Sequence, residues 1–174
     1  MYNDFTIYER GIHMINIRKV RIEDLDAVAE VEAICFPEAE AATKSSLNQR
    51  INTFPDSFFV AESDGKIIGF INGCITDSRT IYDELFSNAA LHIPDGEYQA
   101  IFGLDVIPEY RNKGIAAQLM NYMIDISKSN GRKGVILTCK DYLINYYSKF
   151  GFKNKGESNS GHGGAKWYDM ILEF

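Results

Sequence analysis

Residues Pro108–Met120, PEYRNKGIAAQLM, read as a turn that opens a helix. Pro108 closes the apolar run YQAIFGLDV. From Asn112 on, Ile115, Leu119, Tyr122, Met123 and Ile126 fall on one helical face until SNGRKG ends it. Arg111 and Lys113 stand at the mouth of this helix. Cations are disfavoured there, because the aligned peptide dipoles already place roughly +0.5 of a charge at a helix N-terminus. The free N–H groups of a first turn favour an anion instead. Gly114 lets a ligand come close to the backbone, Ala116 keeps the next turn small, and the two cations add charge to the same corner. A diphosphate fits that chemistry. Neither G-x-x-x-x-G-K-[ST] nor a G-x-G-x-x-G after a strand occurs, which excludes two common nucleotide fingerprints.

This positive corner belongs to an acidic chain, with 18 Lys and Arg against 24 Asp and Glu and a net charge of −6 over 174 residues. Such a balance argues against a nucleic-acid or anionic-membrane binder. Hydrophobic residues make up 45% and charged residues 24%, as in a globular protein long enough for one domain with a real core. Cys35, Cys74 and Cys139 are scattered without a C-x-x-C and read as reduced thiols. His13, His92 and His162 lie far apart, so no metal site is expected. No apolar run reaches the ~18–20 residues that span a bilayer, and the N-terminus is too polar for a signal peptide. The expected location is cytoplasmic. A single domain is expected over residues 14–174, preceded by an extension at 1–13.

Working outward, Ile15, Ile17 and Val20 mark a first strand. IEDLDAVAEVEAICF carries helical spacing, and PEAEAATKSSLNQRINTF continues as a second, more polar helix. SFFVAESDGKIIGFINGCI is two apolar runs about Asp64-Gly65, a hairpin signal. Residues 76–96 are irregular, with a helical turn at YDELFSN; YQAIFGLDV is one buried strand. GVILTC is a short apolar strand, LINYYSKFG a short helix, and FKNKGE with KWYDMILEF a closing antiparallel pair. Phe54, Phe58 and Phe59 are core residues, and 156–164, GESNSGHGG, reads as a mobile loop, either a lid or a loose turn. The order β-α-α-β-β-β-α-β-α-β-β makes a mixed α/β (α+β) sheet protein.

RNKGIA resembles the R/Q-x-x-G-x-G/A signature of the GNAT acetyltransferases. The likeness runs from about Met14 through GLDVIPEYR, VILTCKD and NYYSKFGF in the family's order. FPEAEAATKSSLNQRINTFPDSFFVAE and AKWYDMILEF resemble the arylalkylamine (serotonin) N-acetyltransferase branch. The resemblance implies the GNAT fold, a mixed, mostly antiparallel central sheet of about six to seven strands flanked by about four helices. It implies acetyl-CoA as co-substrate. Backbone groups of Leu104 and Val106 would pair with the pantetheine arm beside a splayed strand. Arg111, Asn112, Lys113, Gly114, Ile115, Ala116 and Ala117 would hold the pyrophosphate by main-chain N–H groups. Tyr147 would protonate the departing thiolate, while Tyr146 faces elsewhere. Phe36, Pro37 and Trp167 occupy positions like those of the amine pocket.

Acetyl transfer to an amine requires a neutral nucleophile, a donor for the developing oxyanion and a proton for the leaving sulfur. An ordinary amine with a pKa of about 10.4 arrives protonated at neutral pH, so something must take its proton. The branch's two strand histidines are here Ala100 and Phe102, and the glutamate of other branches at Ala100 is also missing. Glu97, Tyr98, Asp105 and His92 remain as candidates. Tyr98 shares a strand face with Ala100 and Phe102, while Glu97 and Asp105 point the other way. No base is assigned. No histidine pairs with Cys139, which favours direct attack in a ternary complex over an acyl-cysteine. The expected function is acetyl-CoA-dependent N-acetylation of a small primary amine, an arylalkylamine among the options. The alternatives are acetylation of a peptide or protein amine, or a non-catalytic acyl-CoA-binding sensor. The first alternative predicts an open groove rather than a closed aromatic pocket. Oligomeric state is left open.

Overall fold

A computed structural model describes residues 14–174; the extension expected at 1–13 lies outside them. The chain opens with β1 (Ile15–Lys19), α1 (Leu25–Cys35) and α2 (Lys44–Thr53), followed by the hairpin β2 (Phe58–Ser63) and β3 (Lys66–Asn72). Asp64 and Gly65 turn the hairpin with φ of 48° and 77°, the left-handed pair that a two-residue turn requires. The helix expected from Pro37 onward starts only at Lys44. Thr43 caps it by accepting the Ser46 N–H at 3.1 Å. The residues before the cap form a turn, in which the Ala41 N–H reaches the Pro37 carbonyl.

A two-residue strand β4 (Ile75–Thr76) and a single helical turn α3 (Glu84–Ser87) occupy the irregular stretch. Then come β5 (Tyr98–Ile101), β6 (Gly103–Val106), α4 (Ile115–Ser129), β7 (Gly134–Cys139), α5 (Ile144–Ser148), β8 (Lys153–Glu157) and β9 (Tyr168–Glu173). Ile115, Leu119, Met120, Met123 and Ile124 form the buried stripe of α4. Phe54, Phe58 and Phe59 are buried, as their sequence context indicates.

The mixed sheet of the GNAT fold is present, divided in two: β1-β2-β3-β6 and β4-β5-β7-β9-β8. The division falls inside YQAIFGLDV, read from sequence as a single strand. β5 runs parallel to β7 as far as Ile101 opposite Leu137, and β6 then leaves to pair antiparallel with β3. β7 continues to Cys139 against β9. The crossing is close: a methyl at Gly73 would lie 1.7 Å from the Ala100 carbonyl oxygen. Glycine therefore lets β3 hand over to β4 beside β5. Beyond Ile101 no ladder joins β6 to β7, and the gap between them becomes a cleft.

Candidate active site

Ile107 donates its N–H to the Ile68 carbonyl at 2.9 Å. In the β3–β6 register, Asp105 and Gly103 must turn their backbone groups the same way. Leu104 and Val106 therefore turn theirs toward the gap. A cleft of about 640 Å³ opens there, running from the gap to the first turn of α4. It is lined by Leu104, Val106, Arg111, Asn112, Gly114, Ile115, Ala116, Ala117, Tyr147, Phe36, Pro37 and Trp167. Of the cofactor-binding, amine-pocket and proton-donor residues named from sequence, Lys113 alone does not line it, its Nζ lying 5.1 Å from the centre of the Tyr110 ring, whereas Tyr146, expected to face elsewhere, does line it.

The turn before α4 is left-handed at Asn112 (φ 61°) and at Gly114 (φ 78°), which delays the helix from Asn112 to Ile115. Gln118 is the first residue to donate back, to the Gly114 carbonyl, so the N–H groups of Ile115, Ala116 and Ala117 have no partner within the helix. A methyl on Gly114 would meet nothing within 4 Å, so the ground above the turn is open. Arg111 is partly committed: its Nε donates to the Val106 carbonyl at 2.8 Å, tying the turn to the end of β6.

Tyr147, on α5, packs edge-on against Tyr146 and Phe152 with ring centres 5.2 and 6.0 Å away. It is half-buried and lines the cleft. Burial, reinforced by nearby Cys139, pushes its phenol well above the ordinary value, so it keeps its proton at neutral pH. Burial likewise pushes the Cys139 thiol up to about 11, which leaves little thiolate to act as a nucleophile.

Behind Tyr147 the cleft adjoins a smaller cavity of about 120 Å³, lined among others by Glu32, Phe86, Phe102, Gly103, His162 and Trp167. The loop 156–164 forms one wall and is pinned rather than loose. Asp83 accepts hydrogen bonds from Ser160 Oγ and the Gly161 N–H, and the Ser158 N–H reaches the Trp167 carbonyl at 2.8 Å. His162 stacks on Phe86 at 4.6 Å and donates through Nε2 to the Glu40 carbonyl. Trp167 donates its indole N–H to the His162 carbonyl at 2.9 Å.

Three of the four candidate bases lie elsewhere. His92 accepts the Ile75 N–H on Nδ1 at 3.0 Å, and burial, with Arg132, makes it less basic than usual. Tyr98, the best aimed by strand parity, is buried with its hydroxyl bonded to Arg79 at 2.7 Å. Glu97 is paired with Lys133. Asp105 is at the site, 1% exposed, and its burial together with the charge of Glu32 raises its carboxyl well above the usual range. Glu32 escaped the sequence reading. Its signal was available, since it stands at i+4 from Val28 and three before Cys35, an acid on the apolar stripe of α1.

The profile of the acetyltransferase (GNAT) family matches residues 25–152. YhcX of Bacillus subtilis, named a probable hydrolase, is 27% identical over 77% of this chain and 27% of its own length. Serotonin N-acetyltransferase of Mesocricetus auratus is 28% identical over 53% of this chain and 44% of its own. The chain thus spans about a quarter to under half of these relatives. Among solved structures, the GNAT-like decarboxylase GphF in complex with isobutyryl-CoA superposes with a TM-score of 0.78. It is 23% identical, with 91% of this chain and 98% of that one covered, a likeness of fold. Profile and fold agree with the divided sheet and the turn before α4: the chain belongs to the acetyltransferase (GNAT) family.

Proposed function

We propose that the protein is an acetyl-CoA-dependent N-acetyltransferase acting on the primary amine of a small molecule by direct attack in a ternary complex. The observation that carries this reading is the divided strand. β6 leaves β7 and turns the backbone of Leu104 and Val106 into a cleft that ends at the open N–H groups of Ile115–Ala117. The residues present fit the co-substrate: strand backbone for an amide-bearing arm, and a left-handed glycine turn with a helix start for a diphosphate. GphF, of the same fold, holds isobutyryl-CoA. Acetyl-CoA supplies the activated acetyl group. Tyr147 holds a proton beside both cavities for the leaving sulfur, and Cys139, a thiol at neutral pH, takes no part as nucleophile.

The acceptor side favours a small amine over a peptide. The second cavity is small and walled by Phe86, Phe102, His162 and Trp167, and the pinned 156–164 loop occupies one flank. Aromatic walls of this kind suit an arylalkylamine. The reading takes residues 14–174 as one acetyltransferase domain. Among the described residues no helix is long and apolar enough to cross a membrane.

Thiol release from acetyl-CoA with phenethylamine, tyramine, tryptamine, spermidine, lysine and a short peptide tests the reading. Arylalkylamines are expected to be the fastest, and Tyr147→Phe to lower kcat by about 10²-fold without changing acetyl-CoA affinity. Peptide turnover exceeding that of every small amine would contradict the acceptor assignment.

A further inference from the structure

We propose that Glu32 accepts the proton of the incoming amine, acting as one half of a buried carboxyl pair with Asp105. The proposal rests on the acetyltransferase reading and supplies the base that Ala100 and Phe102 cannot.

Four polar atoms near the site are buried with no partner elsewhere in the described residues: Glu32 Oε2, both carboxyl oxygens of Asp105, and Asn72 Nδ2, the two carboxyls being close enough to share a hydrogen bond once one of them is protonated. Unsatisfied buried groups of this kind cost about 1–3 kcal/mol each and are rare in folded proteins. Three of them converge. A methyl at Gly103 would stand 3.0 Å from Asp105 Oδ1, 3.4 Å from Asn72 Nδ2 and 3.8 Å from Glu32 Oε2. Glycine at 103 thus leaves a polar niche between α1, β3 and β6. Glu32 and Gly103 line the acceptor cavity together with Tyr147, and Asp105 lines the larger cleft.

The niche is held in place from outside. Glu32 Oε1 accepts the Ala42 N–H at 2.8 Å, leaving Oε2 for the cavity. Asn72 Oδ1 accepts from Arg50 at 3.1 Å; a guanidinium only donates, so the amide must present its NH₂ to the niche. Arg50 also donates to the Phe86 carbonyl and lies over the Phe102 ring at 4.8 Å, fixed between the niche and the aromatic wall.

Charge balance then gives the pair its chemistry. Arg50 is the one buried Lys or Arg among the described residues, and it faces the two buried carboxyls of the niche, Glu32 and Asp105; the third buried carboxyl, Asp24, is paired with Arg18. The site is neutral when the pair keeps one proton. It is also neutral when both carboxylates are ionised and an ammonium sits beside them. Moving a proton from the ammonium nitrogen to Glu32 Oε2 converts the second state into the first, with a free amine in place. No uncompensated charge is created in a low-dielectric site at any point. The full step balances: the N–C bond forms as the C–S bond breaks. Of the two protons the ammonium sheds, one leaves through the pair to solvent. The other replaces the proton that Tyr147 gives to sulfur. The groups facing the pair are Cys35 on α1, Arg50 on α2 and Tyr147 on α5, while Cys74 after β3 acts on Arg50. Burial raises the Cys35 thiol and pushes the Cys74 thiol up to about 12, so both stay protonated at neutral pH.

The test is thiol release with phenethylamine in the full chain, from about pH 6 to about pH 10, beside acetyl-CoA affinity. Glu32→Gln, which keeps an acceptor for the Ala42 N–H, is expected to lose about 10²-fold in kcat/KM at neutral pH. The deficit should close as the pH nears the amine's own pKa of about 10, because the nucleophile then arrives deprotonated. Acetyl-CoA affinity should hold, and Glu32→Asp should recover part of the rate. Gly103→Ala changes no charge and fills the niche; it is expected to reproduce the loss, and it carries the test if Glu32→Gln fails to fold. Wild-type rates and pH profiles in these variants would overturn the proposal alone. A wild-type protein that binds acetyl-CoA and acetylates no amine would overturn the acetyltransferase reading, and this inference with it.

Discussion

Tyr147 and Glu32 differ in how openly the sequence displays them. Tyr147 sits in YYSKFGF at a fixed place after the glycine turn, so a local string identifies it. Glu32 shows only as one acid on an apolar helix face, and its partner Asp105 lies 73 residues on (105 − 32) in a run that reads as an ordinary buried strand. Nothing local says that the two meet; the departure of β6 from β5 brings Asp105 under α1. The pair also leaves a mark on stability. Unfolded, Asp105 gives up its proton near pH 3.9; folded, burial and Glu32 make it hold that proton to a much higher pH. Between those two values the native state binds more protons than the unfolded state, so stability falls as pH rises. Asp105→Asn removes this slope. Thermal midpoints taken from acid to alkaline pH should decline less steeply in the variant than in the wild type. Parallel curves would mean that Asp105 ionises normally in the fold.

Among the elements, helices and hairpins declared themselves through apolar period and turn residues, as the stripe of α4 and the Asp64-Gly65 turn show. What stayed hidden was the break between β5 and β6, whose one local mark in YQAIFGLDV is Gly103, an isolated glycine of the kind that marks bulges and that the reading as a single strand passed over. The break is imposed by partners, β7 on one side and β3 on the other. The 156–164 loop misled for the opposite reason. Its glycine and serine content speaks of mobility, whereas Asp83, Glu40 and Phe86, all distant in sequence, fasten it. The turn before α4 offers a clean test at this scale. Gly114→Ala meets no atom within 4 Å, so its cost to the fold is the left-handed backbone alone, about 1–2 kcal/mol. The added methyl nevertheless stands where the diphosphate is to approach. Titration should show acetyl-CoA affinity falling about tenfold or more while the thermal midpoint drops only a few degrees; unchanged affinity would remove the turn from the binding site.

For the molecule as a whole, the fold and the cleft follow from one event, the handover of a strand between two sheets. The first sheet packs against α1, which brings Glu32 to Asp105 on β6, and against α4, which brings the turn proposed for the diphosphate; the second carries Cys139 and, just before β9, Trp167. Tyr147 stands between the two cavities that result. The central claim is that this arrangement moves an acetyl group directly from sulfur to an amine. The most direct measurement mixes the protein with acetyl-CoA and phenethylamine, then follows free thiol, acetylated amine and the mass of the protein together. Thiol and N-acetylphenethylamine should appear in equal amounts with the protein's mass unchanged. Thiol released without acetylated amine, or an acetyl group retained on the protein as the reaction turns over, would contradict the account.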